Sequence, residues 1–277
     1  MKTLIAGPWV GEFGWELFAW QAYIRSLSRK FDKTVIISRE NSKAIYDDFA
    51  DKFIAYDPSS GIPDSFFIPN FDIRACLKEI TTQGKIPKEY LGKGTTLFLP
   101  RRIGFPPHTH YEQGVVFGKF MIKPEYISFG EKNKSKYDYI FHIRNRELRK
   151  EDNWSLKNWI KLRELLGEAR VACIGTYKES ATIPGVDDLR GVNLKSLMEI
   201  MKNSKYAFGS SSGPLHLAAL CGLPHVVWSI PANKIRYEEN WNPLKTQVLF
   251  DSTHQWHPSP EYVYEIFKEW SIENEVD

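Results

Sequence analysis

Cysteine is scarce in these 277 residues: Cys76, Cys173 and Cys221 stand far apart, each among apolar neighbours. That usage excludes a disulfide-framed secreted scaffold and predicts reduced, core-packing thiols in a cytosolic setting. No stretch approaches the roughly 20 apolar residues of a membrane-spanning helix. The opening run Met1 to Gly7 is too short for the apolar core of a signal peptide. The expectation is a soluble, cytoplasmic protein without a transmembrane segment. There is no short-period repeat and no low-complexity tract, which excludes solenoids and biased linker architectures. The glycine-rich stretch Gly7, Gly11 and Gly14 lacks the full Gly-x-Gly-x-x-Gly fingerprint, so a dinucleotide site is disfavoured. His108-Thr109-His110 has no third ligand at zinc spacing, and no metal site is expected there. A net charge of +3 is too small to mark a nucleic-acid binder by itself.

What is present is an alternation of short apolar runs and amphipathic stretches. Strands are predicted at 3–6, 34–38, 53–56 and 96–99, with helices after residue 16, at 44–50 and at 73–80. Leu17, Trp20, Ile24 and Leu27 repeat at helical spacing. Thr34 to Ser38 is a continuous apolar run, as a parallel sheet covered on both faces requires. A polar stretch, Glu131 to Lys136, is the best linker candidate. Beyond it the alternation restarts, with strands at 137–143, 171–175, 206–208 and 226–230 and helices at 156–167, 194–202 and 215–221. Two α/β domains are therefore expected, over 1–130 and 137–258. A final helix within 259–277 carries Val263, Ile266, Phe267 and Trp270 as one stripe, expected to pack back across the first domain.

The most informative stretch is Gly209-Ser210-Ser211-Ser212-Gly213-Pro214-Leu215-His216-Leu217-Ala218-Ala219, where an apolar strand becomes a helix through small hydroxylic residues. Unpaired amides at such a helix start, with the positive end of its dipole, suit a phosphate that the serine hydroxyls also contact. An ordinary N-cap on a buried helix reads the same way. Phe141-His142-Ile143-Arg144-Asn145-Arg146 lies at the carboxyl end of the strand that opens the second domain, the edge where open α/β sheets bind ligands. If that strand persists, Arg144 and Arg146 project to one face, each with a planar donor fork suited to phosphate oxygens. Glu12 and Glu16 lie in or beside the glycine-rich turn after the first strand. Either is a candidate base, and either would also serve as a favourable charge at a helix start.

Ser211 to Pro224 resembles the sugar-nucleotide signature of the heptosyltransferase-like glycosyltransferases, commonly Asp-Ser/Thr-Gly-Pro-x-His-Leu-Ala-Ala; Ser211 stands where that family has aspartate. The resemblance implies the glycosyltransferase-B fold, two Rossmann-like domains facing a cleft, with the donor diphosphate on the C-terminal domain. Arg144, Arg146, Ser211, Ser212, Gly213 and His216 would hold that diphosphate. His142-x-Arg144 is also similar to the His-x-Arg motif of fucosyltransferases, whose arginine contacts the donor diphosphate. Arg149 to Trp159 is similar to a helix-opening segment of such enzymes, with Ser155 as N-cap and Trp159 as packing anchor. Gly11 to Phe18 resembles the first loop of heptosyltransferases, where an acidic residue is a proposed base, and Glu12 is preferred to Glu16 because it sits in the loop. Tyr237 to Pro243 is similar to late loops near the donor sugar, which makes Glu238 and Glu239 candidates for its hydroxyls; a solvated acidic turn accounts for them equally. Tyr177, after a strand end, and His142 complete the candidates for the nucleotide or sugar.

The function implied is transfer of a hexosyl, pentosyl or heptosyl group from a nucleoside diphosphate sugar to a hydroxyl acceptor. Inversion without a metal is expected, with no cofactor beyond the sugar nucleotide as co-substrate. Residues 74–123 carry nine basic side chains against three acidic ones, a local +6 that suits a polyanionic acceptor. Arg101, Arg102, His108 and His110 are the acceptor candidates. A phosphorylated glycan of the lipopolysaccharide type and a hydroxymethylated DNA base both fit, the latter with Phe105 or Tyr111 for stacking. The alternative is a non-catalytic nucleotide- or glycan-binding protein on the same fold.

Overall fold

The computed structural model describes residues 1–57, 73–100, 112, 114–117, 120–134 and 136–274. The chain divides into two units, Met1–Tyr126 and Ile127–Asp277. Glu131 and Asn133, in the polar stretch expected to link the domains, lie in the second unit, where the Asn203 side chain holds them through the Glu131 carbonyl and the Asn133 amide.

In the first unit, β1 (Thr3–Ala6), β2 (Lys33–Ser38), β3 (Lys52–Ala55) and β4 (Thr95–Phe98) form a parallel sheet in the order β3-β2-β1-β4. Strand order reverses between β1 and β4, so the loop leaving β1 opens at the switch point of the sheet. After that loop come α1 (Phe13–Trp15), a π-helical segment Glu16–Gln21 and α2 (Ala22–Ser28) in unbroken succession. Leu17, Trp20, Ile24 and Leu27 are fully buried, as their spacing predicts. Between β2 and β3 the chain makes a tight 3-10 turn, Glu40–Ile45, in place of the expected helix over 44–50. The Ser42 and Tyr46 side chains are drawn inward onto the Glu16 carboxylate there, which fixes the turn. The helix α3 (Ile73–Thr82) sends Cys76 and Ile80 into a core with Ile5, Val35, Ile37 and Ile54. A hairpin of β5 (Val115–Phe117) and β6 (Phe120–Ile122) completes the described part of this unit.

The second unit has a six-stranded parallel sheet, β7 (Tyr137–His142), β8 (Val171–Cys173), β9 (Asp187–Asp188), β10 (Ser204–Ser210), β11 (His225–Trp228) and β12 (Val248–Asp251), in the order β12-β11-β10-β7-β8-β9. Its switch point lies between β7 and β10. Around it run α4 (Leu156–Leu165), α5 (Leu194–Lys202), α6 (Gly213–Cys221) and α7 (Pro260–Glu273). Ser155 caps α4 by accepting from the Asn158 amide, as the sequence suggests. Trp159 is buried in a ring cluster with Phe141, Trp154 and Trp228. The stripe on α7, expected to cover the first domain, belongs instead to the core of its own unit: Phe267 packs edge-on against Tyr139, Tyr206 and Phe208. Those aromatics on β7 and β10 leave an apolar face that needs such a cover. All three cysteines are free and buried. No helix among the described residues is long and apolar enough to cross a membrane.

Candidate functional site

Two strand ends meet at the switch point of the second sheet. β7 finishes at His142, and β10 runs through Ser210 into Ser211 and Ser212 before α6 begins at Gly213 with Pro214 in its first turn. Ser212 occupies the N-cap with extended backbone, yet its side chain does not cap the helix. Its Oγ lies 2.9 Å from His142 Nδ1, tying β10 to β7. The first-turn amides of α6 thus keep their capacity for an external acceptor.

His142 is buried, and its Nε2 lies 3.3 Å from Ser180 Oγ. Burial, followed by the charges of Arg144 and Arg146, pushes its pKa down to about 3, so the ring is neutral. A serine 2.9 Å from an imidazole has the spacing of a nucleophile and its base. This ring is a poor proton acceptor, however, because an imidazolium here would be desolvated beside two guanidinium groups. The pair is suited to binding.

Arg144 and Arg146 do not extend the strand. The Arg144 amide bonds back to the His142 carbonyl, and the Asn145 amide bonds to the Glu179 carbonyl, which pulls the chain against Ser180 in an isolated bridge. The two guanidinium groups take different carboxylate partners. Arg146 turns to Glu179 at 3.5 Å. Arg144 is buried, 3.4 Å from Asp152 and 5.7 Å from the centre of the Trp256 ring, and its Nε has no hydrogen-bond partner among the described residues. A buried donor without an acceptor is costly and calls for an explanation. The Arg144 charge also acts on the Tyr237 phenol.

Tyr237 is the residue that sequence reasoning passed over in favour of its neighbours. Its hydroxyl accepts from the Ser212 amide at 3.0 Å and donates to Ser211 Oγ at 3.2 Å. Burial raises its pKa to about 12, so it stays a neutral donor. It begins its turn inside a π-helical segment, Arg236–Asn240, a local irregularity frequent at functional sites. His216 reaches the site through it. That ring is buried, stacked on Tyr237 with centroids 4.1 Å apart and edge-on to Trp241, and burial holds it neutral. Glu238 and Glu239 are exposed, Glu238 lying 3.7 Å from Lys234. Tyr177 is 71% exposed; Arg190 lies 5.3 Å from its ring centre and is itself clamped by both oxygens of Asp188.

In the first unit the two candidate carboxylates have different fates. Glu16 is completely buried and accepts from Ser38 Oγ, Arg39, Ser42 Oγ and Tyr46 Oη. Glu12 stands half-buried at the N-cap of α1, its carbonyl bonded to the Glu16 amide. Arg101, Arg102, Phe105, His108, His110 and Tyr111 lie outside the described residues. Among the described residues no group of three or more His, Cys, Asp or Glu side chains is placed to hold a metal ion.

No protein-family model matches the sequence, and no curated protein matches it. Solved structures do match over almost the whole chain. The ADP-heptose lipopolysaccharide heptosyltransferase II of E. coli is 14% identical and is similar over 100% of both chains with a TM-score of 0.61. A family 9 glycosyl transferase from Veillonella parvula is 12% identical over 98% of each chain, with a TM-score of 0.63. The E. coli heptosyltransferase WaaC, solved with ADP, is 11% identical over 97% of this chain and 99% of its own, with a TM-score of 0.61. With two α/β units, each built on a parallel sheet, this chain has the glycosyltransferase-B fold of the heptosyltransferases.

Proposed function

We propose that this protein is a glycosyltransferase that moves a sugar from a nucleoside diphosphate carrier to a hydroxyl acceptor, with inversion at the anomeric carbon. The fold shared with heptosyltransferases supports the reading, and one observation carries it. At the switch point of the second sheet, the open start of α6 and its serines are bonded to His142 and Tyr237, and the charge of the buried Arg144 guanidinium, whose Nε has no acceptor among the described residues, acts on both rings. Diphosphate oxygens suit the open amides, the hydroxyls and the guanidinium charge.

Ser211, Ser212, the Gly213 amide and Arg144 hold the diphosphate in this reading, with Tyr237 supporting the two serines. Tyr177 offers its ring to the base or ribose, and Glu238 and Glu239 offer carboxylates to sugar hydroxyls. The acceptor oxygen attacks C1, the bond from C1 to the diphosphate oxygen breaks, and the acceptor proton passes to Glu12. The nucleoside diphosphate leaves with the bonding electrons. Arg144 and the helix amides supply, in place of a metal ion, the positive potential that the leaving group needs. The local excess of basic residues over 74–123 favours an anionic acceptor.

Titration calorimetry with a panel of nucleoside diphosphates tests the donor site. Arg144→Ala should weaken the best binder 10- to 100-fold, the effect of about 1.5–3 kcal/mol for a hydrogen bond to a charged group. Unchanged affinity in both Arg144→Ala and Ser212→Ala would remove the proposed site. Slow donor hydrolysis without acceptor distinguishes an enzyme from a binding protein. An acceptor series of phosphorylated glycans and hydroxymethylated duplex DNA, run at two salt concentrations, selects the acceptor class.

A further inference from the structure

Both nitrogens of the His142 ring lie within hydrogen-bonding distance of a serine hydroxyl, Nδ1 at 2.9 Å from Ser212 and Nε2 at 3.3 Å from Ser180. A neutral imidazole carries one donor and one acceptor. The two serines therefore cannot be bonded alike: one donates its proton to the ring and the other accepts from it. Which is which decides what Ser212 presents to a ligand.

The burial of the two hydroxyls settles the choice. Ser180 is 3% exposed, and among the described residues its Oγ has no partner besides His142 Nε2. Were Nε2 protonated, Ser180 Oγ would accept from it and the Ser180 proton, turned away from the ring, would remain buried without an acceptor among the described residues, a cost of the order of a lost hydrogen bond. Ser212 is partly exposed at the start of α6, so its proton is free to point outward. The low-cost arrangement has Ser180 donating to Nε2, the ring proton on Nδ1, and Ser212 Oγ accepting from it.

We propose that Ser180 and His142 are positioning residues whose joint effect is to turn the Ser212 hydroxyl proton toward the α6 N-terminus, as a fixed donor for an acceptor-only ligand. The proposal rests on the diphosphate reading of that site. In the opposite tautomer Ser212 would show the same ligand only lone pairs, which phosphate oxygens repel. The relay also accounts for why a histidine at a strand end is enclosed: its role is exercised through Ser212.

The full chain, labelled with 15N-histidine, reports the tautomer directly by NMR, with the His142 signal identified by its loss in His142→Asn. Protonation at Nδ1 is expected. Calorimetric titration with nucleoside diphosphates and with inorganic pyrophosphate supplies the second readout. Ser180→Ala should weaken binding about 5- to 10-fold. His142→Leu should weaken it at least as much, and His142→Asn, whose amide nitrogen replaces the Nδ1 donor, should recover most of the loss. Wild-type binding combined with an Nε2-protonated ring, or with undiminished affinity in Ser180→Ala, overturns the relay and leaves the diphosphate site standing. Absence of binding by the wild type overturns the diphosphate reading, and the relay's purpose with it.

Discussion

Glu12 and Glu16 are four residues apart and chemically identical, yet the structure gives them opposite surroundings. Glu16 has four donors on its two oxygens and no contact with solvent. Removing it in Glu16→Ala strands the Arg39 guanidinium and three hydroxyls. The expected loss is about 3–5 kcal/mol of unfolding free energy in urea titration, the range seen when one member of a buried ion pair is deleted. Glu12→Gln should leave the urea midpoint nearly unchanged and cut turnover by about 100-fold or more, the contribution of a general base, with donor affinity retained. Equal turnover in Glu12→Gln and wild type would eliminate that base. The distinction was not legible in the sequence, because Ser38, Arg39, Ser42 and Tyr46 converge on Glu16 only once β1 and β2 are paired. Tyr237 was hidden for a similar reason. Its acidic neighbours drew notice as chemistry, whereas its burial beneath α6 depends on the π-helical turn that carries it.

Among elements, the loop leaving β1 and the ends of α6 show how tightly the backbone constrains the candidate sites. Gly7 has φ +122°, and a Cβ there would sit 2.2 Å from the Ile37 carbonyl oxygen, a backbone atom of the neighbouring strand. Neither the conformation nor the clash has a cheap remedy, so Gly7→Ala should cost at least about 2 kcal/mol and displace the loop that bears Glu12. Gly222, the C-cap of α6, has φ +67°, but a Cβ there meets only the Lys202 ammonium at 3.5 Å. Gly222→Ala should therefore cost only about 1 kcal/mol. Comparable losses in the two variants, measured by thermal unfolding, would mean that the approach of Gly7 to β2 is not a constraint. Apolar periodicity located the strands around both loops because parallel strands buried on two faces read as continuous runs. It did not reveal β12, whose Val248–Asp251 run is short and followed by a turn, nor the π-helical segments, whose apolar spacing is close to that of an α-helix. The end of β7 was also set by tertiary contacts, since Glu179 and Ser180 capture the backbone where the arginines begin.

For the molecule as a whole, the alternation of strands and helices was enough to give two α/β units, while the distribution of buried charge between them emerged only from the structure. Every buried histidine among the described residues, His142, His216 and His225, lies in the second unit. Burial lowers all three, His142 to about 3 and His225 to about 4. The unfolded chain takes up a proton on each ring near pH 6.5, and the folded chain refuses it until far lower pH. Unfolded protein therefore binds more protons across that interval, and stability must fall as pH is lowered through it. Between pH 6.5 and 5 the loss is about 1–2 kcal/mol for each ring. The carboxylates held low by hydrogen bonds and by the cations beside them, Asp51 and Glu125 in the first unit and Asp138 and Asp188 in the second, begin to lose their contribution only at more acid pH. The decline above pH 5 should accordingly appear in the second unit first, as reduced hydrogen-exchange protection of β7, β10 and β11 relative to β1 and β2. His225→Phe removes one titrating ring that is not itself a proposed ligand of the donor and keeps an aromatic ring near Tyr237, and it should flatten the dependence of unfolding free energy on pH between 6.5 and 5 by about a third. An unchanged slope in that variant would show that the buried rings do not govern the acid limb.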